Sequence, residues 1–183
     1  MTVPLLLVIS GLPAAGKTYL GQRLSRDLGW PLLSRDDFKR VLYAQAPDLP
    51  RPVAGTLSFE VMLHAARAIL GAGGPVLLES HFWKGQEPAL RALIQDIRAQ
   101  KHLRAAQLFV QAPVAELQRR HAERVARAEQ REIHQPFDHH DLPPEACWYP
   151  LDLAVPLLRL DTTRPGAYAQ AQAWVNAWAT NGH

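Results

Sequence analysis

Short continuous apolar runs alternate along the chain with stretches whose apolar residues recur every three or four positions. Pro4–Ile9 (PLLLVI) is apolar throughout, which suits a strand buried on both faces. From Lys17 to Leu28 the residues Leu20, Leu24 and Leu28 fall at i, i+4 and i+8, with Gly29 just beyond, which predicts a helix. Pro31–Ser34 reads as a short second strand and Asp36–Tyr43 as a helical turn or two. Ala46–Pro52 (APDLPRP) holds three prolines and predicts an ordered loop. Thr56 to Leu70 is helical, closed by Gly71, Gly73 and Gly74. Pro75–Leu78 predicts a third strand ending at Glu79, Pro88–Gln100 a helix, Leu103–Val110 a fourth strand, and Val114 to about Arg131 a long helix. His134–Pro150, rich in His, Asp and Pro, reads as irregular. Pro156–Leu160 predicts a fifth strand, and a last helix starts near Pro165 and ends before Asn181-Gly182. The alternation predicts an α/β fold: a parallel sheet of about five strands flanked by helices.

Composition narrows the setting. A chain of 183 residues is long enough to bury a core and corresponds to a single domain spanning 1–183. With 48% hydrophobic and 20% charged residues it is ordinary for a globular protein. Lys plus Arg is 20 and Asp plus Glu is 17, so the net charge of 20 − 17 = +3 is too small to announce nucleic-acid binding, although it permits an anionic partner. Cys147 is the single cysteine, which excludes an internal disulfide and favours a reducing, cytoplasmic location. No apolar run approaches the ~18–20 residues of a membrane span. Leu5–Ile9 is short, lacks a basic flank and runs into a glycine motif, so it reads as a strand and not as a signal peptide. Oligomeric state is not readable.

The most specific chemistry follows the first strand. Gly11-Leu-Pro-Ala-Ala-Gly16-Lys17-Thr18 fits G-x-x-x-x-G-K-[ST], the P-loop. Its glycines permit a tight loop whose backbone N–H groups point at phosphate oxygens, and the helix opening at Lys17 offers its unpaired N–H groups to the same anion. The nucleotide contacts expected here are Gly11, Leu12, Pro13, Ala14, Ala15, Gly16, Lys17, Thr18 and Tyr19. Lys17 reaches for the β- and γ-phosphates of ATP, and the Thr18 hydroxyl is the expected ligand of Mg²⁺.

Four further sites carry candidate chemistry. Asp36 and Asp37 follow the second strand, where a carboxylate could accept a proton from an acceptor hydroxyl; an N-cap acid and a first-turn acid of a short helix is the plainer reading. Arg120, Arg124, Arg127 and Arg131, spaced 4, 3 and 4, share one helix face. That stripe has no obvious partner until phosphates arrive and suggests a lid, about 120–144, whose arginines neutralise the transferring phosphoryl group. Screening by Glu116, Glu123 and Glu129 on a solvated face is the alternative. Glu79-Ser80-His81 ends the third strand; Glu79 either positions Mg²⁺ through water or binds substrate, and His81 either touches the acceptor or belongs to a polar turn. His134, His139, His140 and Asp141 match no zinc spacing, with Cys147 alone nearby. Trp174 and Trp178 read as core, and Asp161-Thr162-Thr163 as the cap of the last helix or a neighbour of the adenine.

The order GLPAAGKT, SRDDFKRVL, VLLESHF and ELQRRHAER resembles the kinase domain of phage-type polynucleotide 5′-kinases. It is also similar to the zeta-toxin and chloramphenicol-phosphotransferase group of AAA-type P-loop small kinases. The resemblance spans most of residues 3–180, with the P-loop its most specific part. It implies a P-loop NTPase fold with a helical lid, Asp36 as general base, Lys39 near the position of a family arginine that serves the reacting phosphate, and Arg120 and Arg124 as lid arginines. Lys in place of that Arg loses a planar, bidentate contact. No Asp-x-Asp-Gly-Thr phosphatase signature accompanies it. The expected activity is Mg²⁺-dependent transfer of the ATP γ-phosphoryl group to the hydroxyl of an unidentified acceptor, with Asp36, Lys39, Glu79 and His81 facing that acceptor and Asp36, Lys17, Arg120 and Arg124 serving the chemistry. A polynucleotide end, a nucleoside or a small molecule all remain open as acceptor, and nothing calls for a membrane. A nucleotide hydrolase or a non-catalytic nucleotide-binding module are the rival readings.

Overall fold

The first apolar run forms the middle of the sheet. In β1 (Leu5–Gly11) the residues from Leu6 to Ile9 are fully buried, as a strand covered on both faces requires. The computed structural model describes residues 3–126 and 149–181. It contains a five-stranded parallel sheet in the order β2-β3-β1-β4-β5, with β2 (Leu32–Ser34), β3 (Val76–Glu79), β4 (Arg104–Gln111) and β5 (Leu157–Asp161). β1 runs beside β3 with Leu6 to Ile9 opposite Val76 to Glu79. On its other side it pairs with β4, from Leu5 opposite Arg104 to Gly11 opposite Val110.

The two-residue period of a strand sends alternate side chains to opposite layers. Leu6 and Val8 enter a core shared with α3 (Arg51–Gly71) and α4 (Glu87–Gln100), where Phe59, Met62, Leu70 and Leu93 also lie. Leu7 and Ile9 enter a second core with α1 (Lys17–Leu28) and α6 (Ala167–Asn181), built around Leu20, Leu24, Val175 and Trp178. Trp178 is buried and meets Trp30 edge-on at 6.3 Å between ring centroids. Trp174, half-buried, stacks on Trp178, so both indoles belong to packing, as the sequence suggests.

All five strands run the same way, so Gly11, Ser34, Glu79, Gln111 and Asp161 share one edge of the sheet. The chain leaves β1 for β2 and β3 on one side, then crosses to β4 and β5 on the other. That reversal opens a crevice at the carboxyl end of β1, where ligands of such sheets bind.

Three elements differ from the expectation. α2 (Arg35–Gln45) is longer than a turn or two, beginning directly at the end of β2. α3 starts at Arg51, inside the proline-rich segment expected to be loop, because Pro52 occupies the first turn, where a missing N–H costs nothing and a fixed φ suits the helix. With this extension α3 is 21 residues long and holds an 18-residue window of mean hydropathy 1.3, enough by length and composition to cross a bilayer, although Glu60, His64 and Arg67 interrupt any apolar run; its Phe59, Met62, Leu63, Ala66 and Leu70 are buried against the sheet. α6 begins at Ala167, after Gly166 turns the chain at φ 78, so Pro165 lies in the preceding turn and not in the helix. α5 (Val114–Ala126) is described as far as Ala126. The expected continuation to Arg131, most of the lid segment and the irregular stretch up to Trp148 lie outside the described residues.

Candidate active site

The phosphate loop is shaped by its backbone. Gly11 has φ 136 and Gly16 φ 96, both in the region that favours glycine, and Ala14 has φ 64. A positive φ at a residue with a Cβ is uncommon and stores strain, here at the centre of the loop. Gly16 caps α1 with no side-chain hydrogen bond, and no acid stands in the first turn. The first N–H groups of α1 therefore keep their positive end for an anion. Lys17 is buried and folds back across the loop, its Nζ donating to the Leu12 carbonyl at 2.7 Å.

Glu79 joins this loop to the neighbouring strand ends. The Ser34 hydroxyl donates to its Oε2 at 2.6 Å and the Thr18 hydroxyl to its Oε1 at 3.4 Å. Burial pushes the Glu79 carboxyl above its ordinary range, against the pull of Lys17 and the two hydroxyls. A buried carboxylate beside a threonine hydroxyl is an oxygen donor set that suits a hard cation such as Mg²⁺, which keeps several waters and leans on substrate phosphates. Among the described residues no group of three or more His, Cys, Asp or Glu gathers into a protein-only metal cage. Glu79 thus stands between Thr18 and Ser34, where the phosphate loop meets the ends of β2 and β3.

On the far side of Glu79, the two aspartates of α2 diverge. Asp37 pairs with Arg40 at the surface. Asp36 is half-buried, its Oδ1 3.7 Å from Lys39 Nζ. Burial lowers the Lys39 pKa, and Arg35 and Arg51 lower it further. Next to them His81 is half-buried. Its pKa is depressed chiefly by burial and then by the charges of Arg35, Lys17 and Lys39, with Asp36 opposing. His81 is thus a neutral hydrogen-bonding group near pH 7. The unfolded chain binds a proton on this residue below about pH 6.5 while the folded protein refuses it, so stability falls as the pH is lowered through that value. Between pH 7.5 and pH 5, urea titrations should show wild type losing about 1–2 kcal/mol more than His81→Gln. Equal losses in the two proteins would show that His81 titrates normally.

The third wall is made by α5, α6 and the turn after β5. A cleft of about 440 Å³ is lined by Gly16, Tyr19, Arg23, Arg120, Thr162 and Tyr168 among others. Thr162 is its keystone. Its hydroxyl donates to the Ala15 carbonyl at 2.8 Å and accepts from Arg120 Nη1 at 3.0 Å. Arg23 lies 3.6 Å from the centroid of the Tyr168 ring. Thr162→Val removes these hydroxyl contacts, and a longer one to the Gln111 carbonyl, and should destabilise the protein by about 1–2 kcal/mol in urea titration. An unchanged midpoint would mean the phosphate loop does not need this tether.

Placement of the arginines corrects one expectation. Arg120 is not waiting for a partner: Nε donates to Glu116 at 2.6 Å while Nη1 reaches Thr162. The sequence placed Glu116 one turn before it, and the short i, i+4 distance lets that pair form. Arg124 is half-buried a turn further along α5. Arg127 and Arg131, like His134, His139, His140, Asp141 and Cys147, lie outside the described residues. Tyr19 is exposed at the rim of the cleft. Sequence reasoning assigned no role to Ser34, Arg35 or Arg23. Ser34 and Thr162 both sit at carboxyl ends of strands, the one positional signal that could have found them.

A parallel sheet ordered 2-3-1-4-5, with a G-x-x-x-x-G-K-T loop between its first strand and first helix, defines a P-loop NTPase-type α/β fold with the build of the small kinases. The AAA domain family AAA_33 matches residues 6–142, and the chain belongs to it. A kinase-like protein of Chloroflexus aurantiacus is similar over 100% of both chains, at 28% identity and a TM-score of 0.83. The APS kinase CysC of Mycobacterium tuberculosis, solved with AMPPNP and APS, shares the fold at 21% identity and a TM-score of 0.59, over 96% of this chain and 98% of its own. Kti12 of Chaetomium thermophilum, solved with ADP-AlF3, does so at 20% identity and a TM-score of 0.63, over 96% of this chain and 99% of its own. No curated protein matches the chain.

Proposed function

We propose that the protein is an ATP-dependent kinase that moves the γ-phosphoryl group to a hydroxyl of an acceptor, with Mg²⁺ as cofactor. One observation carries this reading: half-buried Asp36 stands in the first turn of α2 at the carboxyl end of β2, on the same sheet edge as the phosphate loop and two residues after Ser34, which Glu79 joins to Thr18. A hydrolase needs only a water beside the phosphate. A second acid set apart from the loop, with Lys39 as its own cation, suits a second reactant. The nucleotides in the complexes of CysC and Kti12, which share the fold, are consistent with nucleotide binding here.

The residues divide the work by position. The backbone N–H groups along residues 11–19, Pro13 excepted, hold the phosphates, and Lys17 exchanges the Leu12 carbonyl for phosphate oxygens. Tyr19, Arg23 and Tyr168 flank the rest of the nucleotide in the adjoining cleft. Thr18 and Glu79 would hold Mg²⁺, whose charge, when bound, offsets that of the β- and γ-phosphate oxygens. The acceptor lies towards Asp36, Lys39 and His81. Its hydroxyl oxygen bonds to the γ-phosphorus as Asp36 takes the proton and the bond from phosphorus to the ADP oxygen breaks, leaving ADP and a phosphorylated acceptor. Arg120 and Arg124 neutralise the charge that spreads over the transferring oxygens. This reading treats the chain as one P-loop domain, with residues 120–144 as its lid. A net charge of +3 offers little broad attraction for a polynucleotide, which leaves small alcohols as the first acceptors to try. The test is a screen with γ-labelled ATP over oligonucleotides, nucleosides, sugars and amino alcohols, with ADP release followed in parallel. Label transfer to an acceptor supports the kinase, and ADP release that no acceptor changes sinks it.

A further inference from the structure

We propose that the hydroxyl acceptor carries an oxyanion of its own, a phosphate ester or a carboxylate, and that Arg35 is the residue that receives it. This rests on the kinase reading and adds the chemical class of the acceptor.

Arg35 opens α2 directly behind β2 and is only 8% exposed. Two of its nitrogens, Nε and Nη1, are buried and have no hydrogen-bond partner among the described residues. A guanidinium buried for structural reasons normally spends its fixed fork of donors on carbonyls or carboxylates, because an unmet buried donor weakens the fold. Arg35 does not. Its remaining end points across to α3, where a Cβ on Gly55 would lie 3.3 Å from Nη2, so this glycine leaves the guanidinium its space.

The surroundings repeat the shortage of negative charge. Lys39 is tucked in beside Arg35, and its charged form is disfavoured by burial and by Arg35 and Arg51. Burial, and after it the charges of Arg35, Lys17 and Lys39, keep His81 neutral. The one carboxylate acting on Arg35 is Asp36, which the chemistry already uses and which also faces Lys39. Packed cations around a single acid lack an anion, and an oxyanion on the acceptor supplies it. A planar oxyanion matches the guanidinium fork, with Lys39 adding a point charge beside it. The hydroxyl to be phosphorylated then projects from the anchored group towards Asp36. Nε and Nη1 are sealed from water in this state, so the anion reaches them as the wall between α2 and α3 opens to admit the acceptor.

The experiment starts from protein saturated with Mg²⁺ and AMPPNP, so that the phosphate loop is filled, and adds sodium sulfate as the probe. Wild type should show a saturable rise in melting temperature with sulfate. Arg35→Met should show only the non-saturating rise that excluded sulfate gives any folded protein, and should melt at or above the wild-type temperature before sulfate is added, because it removes a buried charge without partners. Gly55→Ala keeps the charge but crowds Nη2; it should hold or raise the melting temperature and weaken the sulfate response. No saturable sulfate response in wild type, an equal one in Arg35→Met, or an Arg35→Met protein that melts far below wild type each overturns the proposal; the last makes Arg35 structural. A second arm compares acceptors in pairs: glycerol with glycerol 3-phosphate, ribose with ribose 5-phosphate, glucose with gluconate. The charged member should be preferred by roughly 10²-fold in kcat/KM, a preference that Arg35→Met loses and Arg35→Lys partly restores. Preference for the phosphate esters or for gluconate identifies which oxyanion the site takes. Neutral alcohols phosphorylated as well as charged ones overturn the anion site and leave the kinase standing. Failure of AMPPNP to bind at the outset overturns both.

Discussion

Asp36→Asn should fold, bind ATP with unchanged affinity and lose phosphoryl transfer by about 10²–10⁴-fold, the range that removing a general base produces. Asparagine keeps the shape of the side chain and discards the capacity to take a proton. The structural cost is small, because the Asp36–Lys39 pair is partly exposed at 3.7 Å and such pairs contribute about 0–1 kcal/mol. In the proposed function nucleotide affinity is set elsewhere, by the loop from Gly11 to Thr18. The internal control is the next residue. Asp37 carries the same charge in the same first turn but pairs with Arg40 at the surface, so Asp37→Asn should turn over like wild type. Single-turnover rates with saturating ATP, together with nucleotide titrations on both variants, read out the two halves. A crippled Asp37→Asn with a healthy Asp36→Asn would move the base one residue along. Normal rates in both would remove the carboxylate from the mechanism.

Those two aspartates also show what a linear reading can and cannot resolve. The sequence brought both acids to the end of β2, because a strand followed by polar residues and a helical pattern marks a sheet edge. It could not by itself say which one is the less exposed, since that depends on the rotation of α2 as it leaves β2, and so on contacts with α3 and β3 far along the chain. The phosphate loop was legible because its function needs consecutive residues: glycine at two set positions, then Lys17 and Thr18. Helix α1 was legible to its last residue because Leu20, Leu24 and Leu28 keep one face and Gly29 takes the left-handed cap at φ 68. Thr162 was not, because its meaning is its contact with Ala15, 147 positions away. Arg35 hid for a related reason: arginine next to two aspartates reads as locally neutralised, whereas folding sends one acid outward and buries the guanidinium without enough partners. The start of α3 was misjudged through Pro52, whose effect reverses with position, breaking a helix interior but fitting its first turn.

Gly11→Ala should be the most damaging single-methyl change in the chain, costing about 4 kcal/mol or more and lowering the melting temperature by roughly 10 °C. Two effects combine at this position. At φ 136 the backbone is in a conformation that side chains rarely adopt, which alone costs of order 1–3 kcal/mol. Beyond that, the new Cβ would sit 2.0 Å from the Val110 carbonyl oxygen and 3.0 Å from its carbonyl carbon, both backbone atoms of the paired strand β4. A side chain could swing aside, but β4 is held by β1 along its whole register and by β5 on the other side. Relief therefore requires the end of β1 to part from β4 at the very point where the phosphate loop begins. The loop shifts with it, so nucleotide binding should weaken by at least tenfold in whatever protein remains folded. Gly29→Ala separates the two effects. Gly29 also has a positive φ, 68, but a Cβ there meets nothing within 4 Å, so it should cost only about 1 kcal/mol and leave nucleotide binding untouched. Urea denaturation of both variants beside wild type measures the difference. If Gly11→Ala proves no worse than Gly29→Ala, the close approach of β1 to β4 is soft, and the phosphate loop does not depend on it.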